Sequence, residues 1–274
     1  MGGASNPDRS FAVIRRRQLP EAAFTELAAT HAKAKGSLGV FVHGYNYTLA
    51  EAVFRLAQLG ADNEAFPVSV LFSWPSKGTV TGYLADRDAA TYARDDLVHV
   101  LDLLSNVKTE EKISLVAHSM GGWLVMEALR QLRLEGRSNV IDRFRVGLAA
   151  PDIDIDVFRS QMVSIGQLTP PLHLLVSTDD RALAASQRLA GGRLRVGSVD
   201  VRDPNLQEIA QREGITIIDV SSLKARDLAK HDRFVQFAAV GTVWPPDRMK
   251  ATDQLGRSGV FVFRKSTVAA PRRQ

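Results

Sequence analysis

The chain of 274 residues has no cysteine, which excludes disulfide stapling, thiol catalysis and cysteine-ligated metal centres. No window approaches the roughly 18 consecutive apolar residues that a bilayer-crossing helix needs, so no membrane span is expected. The opening Met1-Gly2-Gly3-Ala4-Ser5-Asn6-Pro7 lacks the apolar core of a secretory signal. The absence of cysteine fits a cytoplasmic setting and equally a periplasmic one after removal of a leader, and the sequence does not choose between them. Charge of one sign is not in large excess: 35 Lys and Arg stand against 30 Asp and Glu, a formal net charge of +5. The densest basic knots, Arg15-Arg16-Arg17 and Arg272-Arg273, read as solvated ends of elements, and no clustered phosphate footprint for nucleic acid is present. No strand-to-helix turn carries G-x-G-x-x-G or a phosphate-loop lysine, and no two histidines fall at i, i+4 on a helical pattern. Neither a nucleotide cofactor nor a metal is therefore expected. With no repeat, low-complexity linker or shift in composition, one domain over residues 1–274 is expected, its core at about 35–240 between N- and C-terminal extensions.

What is present is an ordinary globular composition, 45% hydrophobic and 24% charged. Unbroken apolar runs of strand length recur at Leu38–Val42, Val68–Phe72, Ile113–Ala117, Phe144–Ala149, Leu172–Val176 and Ile215–Val220. Strands buried on both faces read in this way, without alternation. Between them, Leu49–Leu59, Ala89–Leu104, Trp123–Leu134, Arg181–Leu189 and Phe234–Val240 space apolar residues three or four apart, the helical period. This order predicts an α/β fold with a doubly wound, mostly parallel sheet flanked by helices. Phe11–Arg16 is expected as an antiparallel edge strand and Val260–Phe263 as a late strand or docked tail. Lys77–Arg87, with Gly78 and Gly82, reads as an irregular loop.

The third strand runs directly into Ala117-His118-Ser119-Met120-Gly121-Gly122, and a helical pattern follows. A serine in a small-x-Ser-x-Gly turn between strand and helix is a nucleophile elbow. The turn is so tight that the residues two before and two after must be small, a demand that Ala117 and Gly121 meet. Alanine replaces the more usual glycine at the first of these places. The amides that follow point toward the serine and favour negative charge there.

A serine hydroxyl needs a base, and the base an orienting acid. In this chain order the acid and histidine follow the serine, which leaves His173 and His231 of the six histidines. His173 lies inside a strand run, whereas His231 sits on a loop beyond the last long strand. The acid is sought in Ser177-Thr178-Asp179-Asp180, where Asp180 is preferred to Asp179 because it immediately precedes the helix start Arg181-Ala182-Leu183. Asp152, with Asp154 beside it, is the rival one strand earlier. The oxyanion hole calls for the amide after the nucleophile, Met120, and one from the loop His43-Gly44-Tyr45-Asn46, where Tyr45 offers its N–H and His43 fixes the loop.

These segments resemble the α/β-hydrolase superfamily and, within it, a branch known only as a domain of unknown function. The likeness rests on His43-Gly44-Tyr45-Asn46, on Phe72-Ser73-Trp74-Pro75-Ser76 with Gly78, Tyr83 and Asp86, and on His118-Ser119-Met120-Gly121. It continues through Ala150-Pro151-Asp152-Ile153, Ser177, Asp180, Ala182-Leu183, Ser186 and His231-Asp232. The resemblance implies a Ser119, Asp180, His231 triad, with Tyr45 and Met120 as oxyanion donors, that hydrolyses small-molecule or lipid carboxylic esters through an acyl-enzyme, without cofactor or metal. An acyltransferase or amide hydrolase would use the same triad, and a non-catalytic binding module would break it. Trp74 and Tyr83 are expected to line the substrate pocket. The short Ala149–Leu172 connection leaves room for one short helix and no large lid, hence an open cleft suited to short or modest acyl esters.

Overall fold

The computed structural model describes residues 11–62, 69–225, 227–239 and 261–263. The strands are β1 (Gly39–Val42), β2 (Val70–Phe72), β3 (Ile113–His118), β4 (Phe144–Ala149), β5 (Leu172–Val176), β6 (Ile215–Asp219) and β7 (Phe261–Phe263). They form one sheet in the order β2-β1-β3-β4-β5-β6-β7, parallel from β2 to β6 and antiparallel only at β7. The helices are α1 (Glu21–Lys35), α2 (Leu49–Asp62), α3 (Tyr83–Tyr92), α4 (Arg94–Ser105), α5 (Met120–Leu134), α6 (Ser138–Ile141), α7 (Ile155–Ile165), α8 (Arg181–Leu189), α9 (Pro204–Glu213) and α10 (Arg233–Ala239).

The pleat divides the apolar runs between two cores. Val40, Val42, Leu115, Ala117, Val146, Leu148, Leu174 and Val176 face the larger one, under α1, α4, α5 and α7. Phe41, Val116, Ala149, Leu175 and Ile218 point the other way, toward α2 and α10, where Phe41 stacks on Phe234 at 6.2 Å. Both sheet faces are thus dry, which is why each strand reads as a continuous apolar run. Local chemistry sets the helix starts. Thr48 and Glu51 form a reciprocal capping box ahead of α2, Asp154 caps α7, and Asp203 with Pro204 opens α9.

Several expectations are corrected. Residues 11–16 are not a strand: Phe11, Val13 and Ile14 are all exposed, so neither alternating face finds a core to offset the entropy of ordering. Glu21–Lys35 is a helix that the apolar pattern did not reveal, because only Ala28 and Ala32 of its residues are buried. It closes at Gly36 in the left-handed region. The Ala89–Leu104 pattern is two helices, α3 and α4, broken at Ala93. Of the expected Lys77–Arg87 loop, a single 3₁₀ turn covers Val80–Gly82 and residues from Tyr83 onward are helical. α9 was also unread, its apolar stripe being thin and its surface charged. The expected Val68, Val240, Val260, Arg272 and Arg273 lie outside the described residues.

Candidate active site

The carboxyl ends of β1, β3, β4 and β5 converge on one cleft of about 360 Å³, where open α/β sheets hold their ligands. Ser119, Tyr45, Tyr83, Asp152, Ser186 and His231 are among its walls. The backbone marks the place independently. Among the described residues, the four non-glycine residues with positive φ are Asn46 (60°), Ser119 (53°), Ala150 (45°) and Lys230 (58°). They belong to the β1 loop, the β3 turn, the β4 turn and the segment just before His231. Such conformations cost on the order of 1–3 kcal/mol each and persist where the surroundings enforce them.

Ser119, at φ 53° and ψ −123°, is the hinge between β3 and α5. Its N–H donates to the Ala149 carbonyl at 2.9 Å, and its own carbonyl accepts from Gly122 (2.9 Å) and Asp152 (3.2 Å). Gly121 is required by proximity. A Cβ there would stand 2.4 Å from the His43 carbonyl oxygen and 2.7 Å from that of Val42, so the helix could not start against the end of β1. Gly44 is under the same constraint, since a Cβ would meet Ser119 Cβ at 2.9 Å. The turn therefore brings the β1 loop against the serine. The Met120 N–H, first in α5, has no carbonyl partner within the helix.

The β1 loop is pinned from several sides. Buried Asp86 accepts from the Asn46 N–H (3.1 Å), the Ser76 hydroxyl (2.6 Å) and the Lys77 N–H (2.6 Å), while Tyr47 N–H donates to Ser76 Oγ (3.2 Å). His43 is buried, contacts the Gly44 carbonyl through Nδ1 (2.9 Å) and Ser73 Oγ through Nε2 (3.3 Å), and stacks on Trp74 at 4.9 Å. Burial pushes its imidazole below the usual range. Trp74 is consequently no pocket wall, contrary to expectation. It is 2% exposed and donates its indole N–H to the His43 carbonyl at 2.8 Å, so the ring props the loop from inside the core. Tyr83 does line the cleft, edge-on to Tyr45 at 5.5 Å.

His231, on the cleft wall, meets Asp180 buried behind it. Nδ1 lies 2.7 Å from Asp180 Oδ2, and Asp180 Oδ1 accepts the Leu183 N–H at 3.0 Å, capping α8. The Asp180 side chain is 1% exposed, that of His231 15%. Burial alone would lower the His231 pKa, but the bond to Asp180 and its charge, helped by Asp152 and Asp227, raise it above the ordinary value of 6.5. Asp179 faces away and pairs with Arg233 and Lys230. His173 is wholly buried within β5, far from the role of a loop base.

Asp152 belongs to a different device. Its Oδ2 accepts from Tyr83 Oη (2.9 Å), and its Oδ1 from Ser186 Oγ (2.5 Å), with Arg195 Nε 3.3 Å away. Arg195 is 1% exposed, so this is a buried ion pair beneath the cleft. Asp154 caps α7 and pairs with Arg193, which pulls its carboxyl down to about 2. Arg195, and Asp227, whose carboxylate accepts the N–H groups of His231 (3.0 Å) and Asp232 (3.2 Å), were not singled out from sequence. Isolated Asp and Arg residues in polar segments carry no signal of their own. Among the described residues, no group of three or more His, Asp or Glu side chains is placed to hold a metal ion. No described helix is long and apolar enough to cross a membrane. The connection from β4 to β5 carries only α7, which packs on α5 against the sheet face and not over the cleft.

Comparison with known proteins agrees with this architecture. A family profile described as "Alpha/beta hydrolase of unknown function (DUF900)" matches residues 20–245. The chain is also similar to an uncharacterized protein, alr1448, of Nostoc sp. (strain PCC 7120), with 33% identity over 88 residues. That alignment covers 32% of this chain and 23% of the relative, so it spans less than a quarter of the relative's length. No solved structure matches the chain significantly. With six parallel strands flanked by helices and a family match over most of its length, the chain belongs to this family of α/β hydrolases of unknown function.

Proposed function

We propose that the protein is a serine hydrolase that cleaves carboxylic esters of small molecules or lipids through an acyl-enzyme. The observation that carries this reading is the 2.7 Å contact between His231 Nδ1 and Asp180 Oδ2, with His231 lining the same cleft that Ser119 lines from a strained turn. In this reading Ser119 Oγ attacks the ester carbonyl carbon and its proton passes to His231 Nε2. Asp180 keeps Nδ1 protonated, which leaves Nε2 as the basic nitrogen, and stabilises the imidazolium. The carbonyl oxygen becomes an oxyanion that accepts the N–H groups of Met120 and Tyr45. In the loop after β1, the next two N–H groups, of Asn46 and Tyr47, are already committed to Asp86 and Ser76. Collapse breaks the bond to the alcohol, which departs with the proton from His231. Water, deprotonated by the same imidazole, then attacks the acyl-serine, and Ser119 takes its proton back. Loss of one oxyanion donor commonly costs about 2.7–4 kcal/mol of transition-state stabilisation.

The cleft, uncovered by α7, fits short or modest acyl groups. The test is hydrolysis of p-nitrophenyl esters of increasing acyl length, with fluorophosphonate labelling, by the wild type and by Ser119→Ala. Turnover and labelling that both vanish in Ser119→Ala support the reading. Labelling without ester turnover would redirect it to amides or, if added alcohol or amine captures the acyl group, to acyl transfer. Absence of both would favour a binding module.

A further inference from the structure

His118 is the residue immediately before the nucleophile, and nothing in the reaction described above uses it. It is 3% exposed, yet it carries two polar ring atoms into the interior. Its Nε2 lies 3.2 Å from the His231 carbonyl oxygen, and because that oxygen only accepts, Nε2 carries the hydrogen and donates. Its Nδ1 has no hydrogen-bond partner among the described residues and faces Gly44, where a Cβ would come within 3.0 Å. The ring is boxed in by His231 (centroids 4.5 Å), Phe234 (4.4 Å) and the edge-on Tyr47 (6.3 Å). A protonated ring would need an acceptor at Nδ1, and burial, together with the nearby His231, Arg55 and His43, holds its pKa well below 6.5. His118 is therefore a neutral donor with one fixed tautomer.

Three of the four polar groups of His231, all but Nε2, are tied by three different segments. Asp227 accepts its N–H at 3.0 Å, Asp180 holds Nδ1 at 2.7 Å, and His118 holds its carbonyl. Only the last tether comes from the turn that also carries Ser119. Resting on the serine hydrolase reading, we propose that His118 is a positioning residue, which fixes the His231 loop relative to Ser119 by donating Nε2–H to the His231 carbonyl, while its ring stacks on Phe234 and packs at a tilt against that of His231. The distance from base to nucleophile is then set by one covalent step, from residue 118 to 119, plus one hydrogen bond. Small displacements matter at this point, since a misplacement of about 1 Å can cost up to about 100-fold in rate.

The test compares His118→Phe, which keeps a stacking ring and removes the donor, with His118→Gln, whose amide nitrogen reaches the place of Nε2. Each is measured for kcat and KM on an ester that the wild type turns over, for thermal midpoint, and by proton NMR for the low-field signal of the His231–Asp180 hydrogen bond. The proposal expects His118→Phe to lower kcat by about 10- to 100-fold at little-changed KM and to broaden the low-field proton, with both restored largely in His118→Gln at a similar thermal midpoint. It is overturned if His118→Phe keeps wild-type kcat and a sharp signal, if only KM changes, or if His118→Gln behaves like His118→Phe. Should the wild type neither label nor turn over, the hydrolase reading fails by itself, while the low-field proton in the two variants still decides whether His118 holds the His231 loop.

Discussion

Asp179 and Asp180 are adjacent in sequence and are used for opposite purposes. Asp180 is buried against His231 and the start of α8, whereas Asp179 turns outward to Arg233 and Lys230. Arg233 is itself buried and also donates to the Leu223 carbonyl and to Ser177, so the pair ties the turn after β5 to the segment carrying His231. Asp180→Asn should keep the fold and lower kcat by about 10⁴-fold, because an amide stabilises the wrong imidazole tautomer and no imidazolium. Steady-state kinetics beside circular dichroism would check it. Equal losses from Asp152→Asn would transfer the acid's role to Asp152.

Asp179→Asn should act on stability instead. Half-exposed Asp179 gains little as a surface charge, but its removal leaves the Arg233 guanidinium with neutral acceptors, a loss of about 1–3 kcal/mol. Arg233 first, then Lys230 and Ser177, hold the Asp179 carboxyl well below the usual carboxylate range. A depressed folded-state pKa gives stability that is fully present above the unfolded value near 3.9 and lost as pH falls below it. The difference between wild type and Asp179→Asn in urea unfolding should accordingly be full at pH 7 and shrink below about pH 4.

The pH dependence of catalysis follows from His231. Desolvation pulls its pKa down and Asp180 pulls it up, and the second effect prevails, so the imidazole that the proposed mechanism uses as base titrates above the ordinary 6.5. Only the neutral imidazole can take the Ser119 proton, so kcat/KM should rise with pH on an acidic limb whose midpoint lies above 6.5. A plateau reached well below pH 6 would mean that another group is the base. The stability sign is the reverse: a raised histidine pKa stabilises the fold below the unfolded value and is lost as pH climbs through the folded one.

The strands were legible because β1 and β3 to β6 are buried almost throughout on both faces, with β2 only partly so, and the elbow because its steric demand is written in the five positions from Ala117 to Gly121. Residues 11–16 misled for the complementary reason, since apolar letters such as Phe11 and Ile14 specify a strand only if a core receives them. Ser-Trp-Pro-Ser was visible as a motif, but whether Trp74 faces the cleft or the core depends on where His43 lies, and that is a long-range contact. The partnership of Asp152 with Arg195 joins residues 43 positions apart and was equally unreadable from either one alone.

That partnership yields the last prediction. Arg195 is 1% exposed with Asp152 3.3 Å from its Nε, and Tyr83 and Ser186, both on the cleft wall, complete the carboxylate's hydrogen bonds. Arg195→Met removes the cation and leaves Asp152 charged and buried, which should destabilise the fold by about 3–5 kcal/mol. In Asp152→Asn combined with Arg195→Met no charge remains in the site, and the amide still accepts from Tyr83. The double variant should thus be more stable than Arg195→Met alone, a coupling that a double-mutant cycle in urea unfolding measures directly. Losses that simply add would mean that the two groups do not depend on each other, and that Asp152 is held by its neutral partners Tyr83 and Ser186 alone.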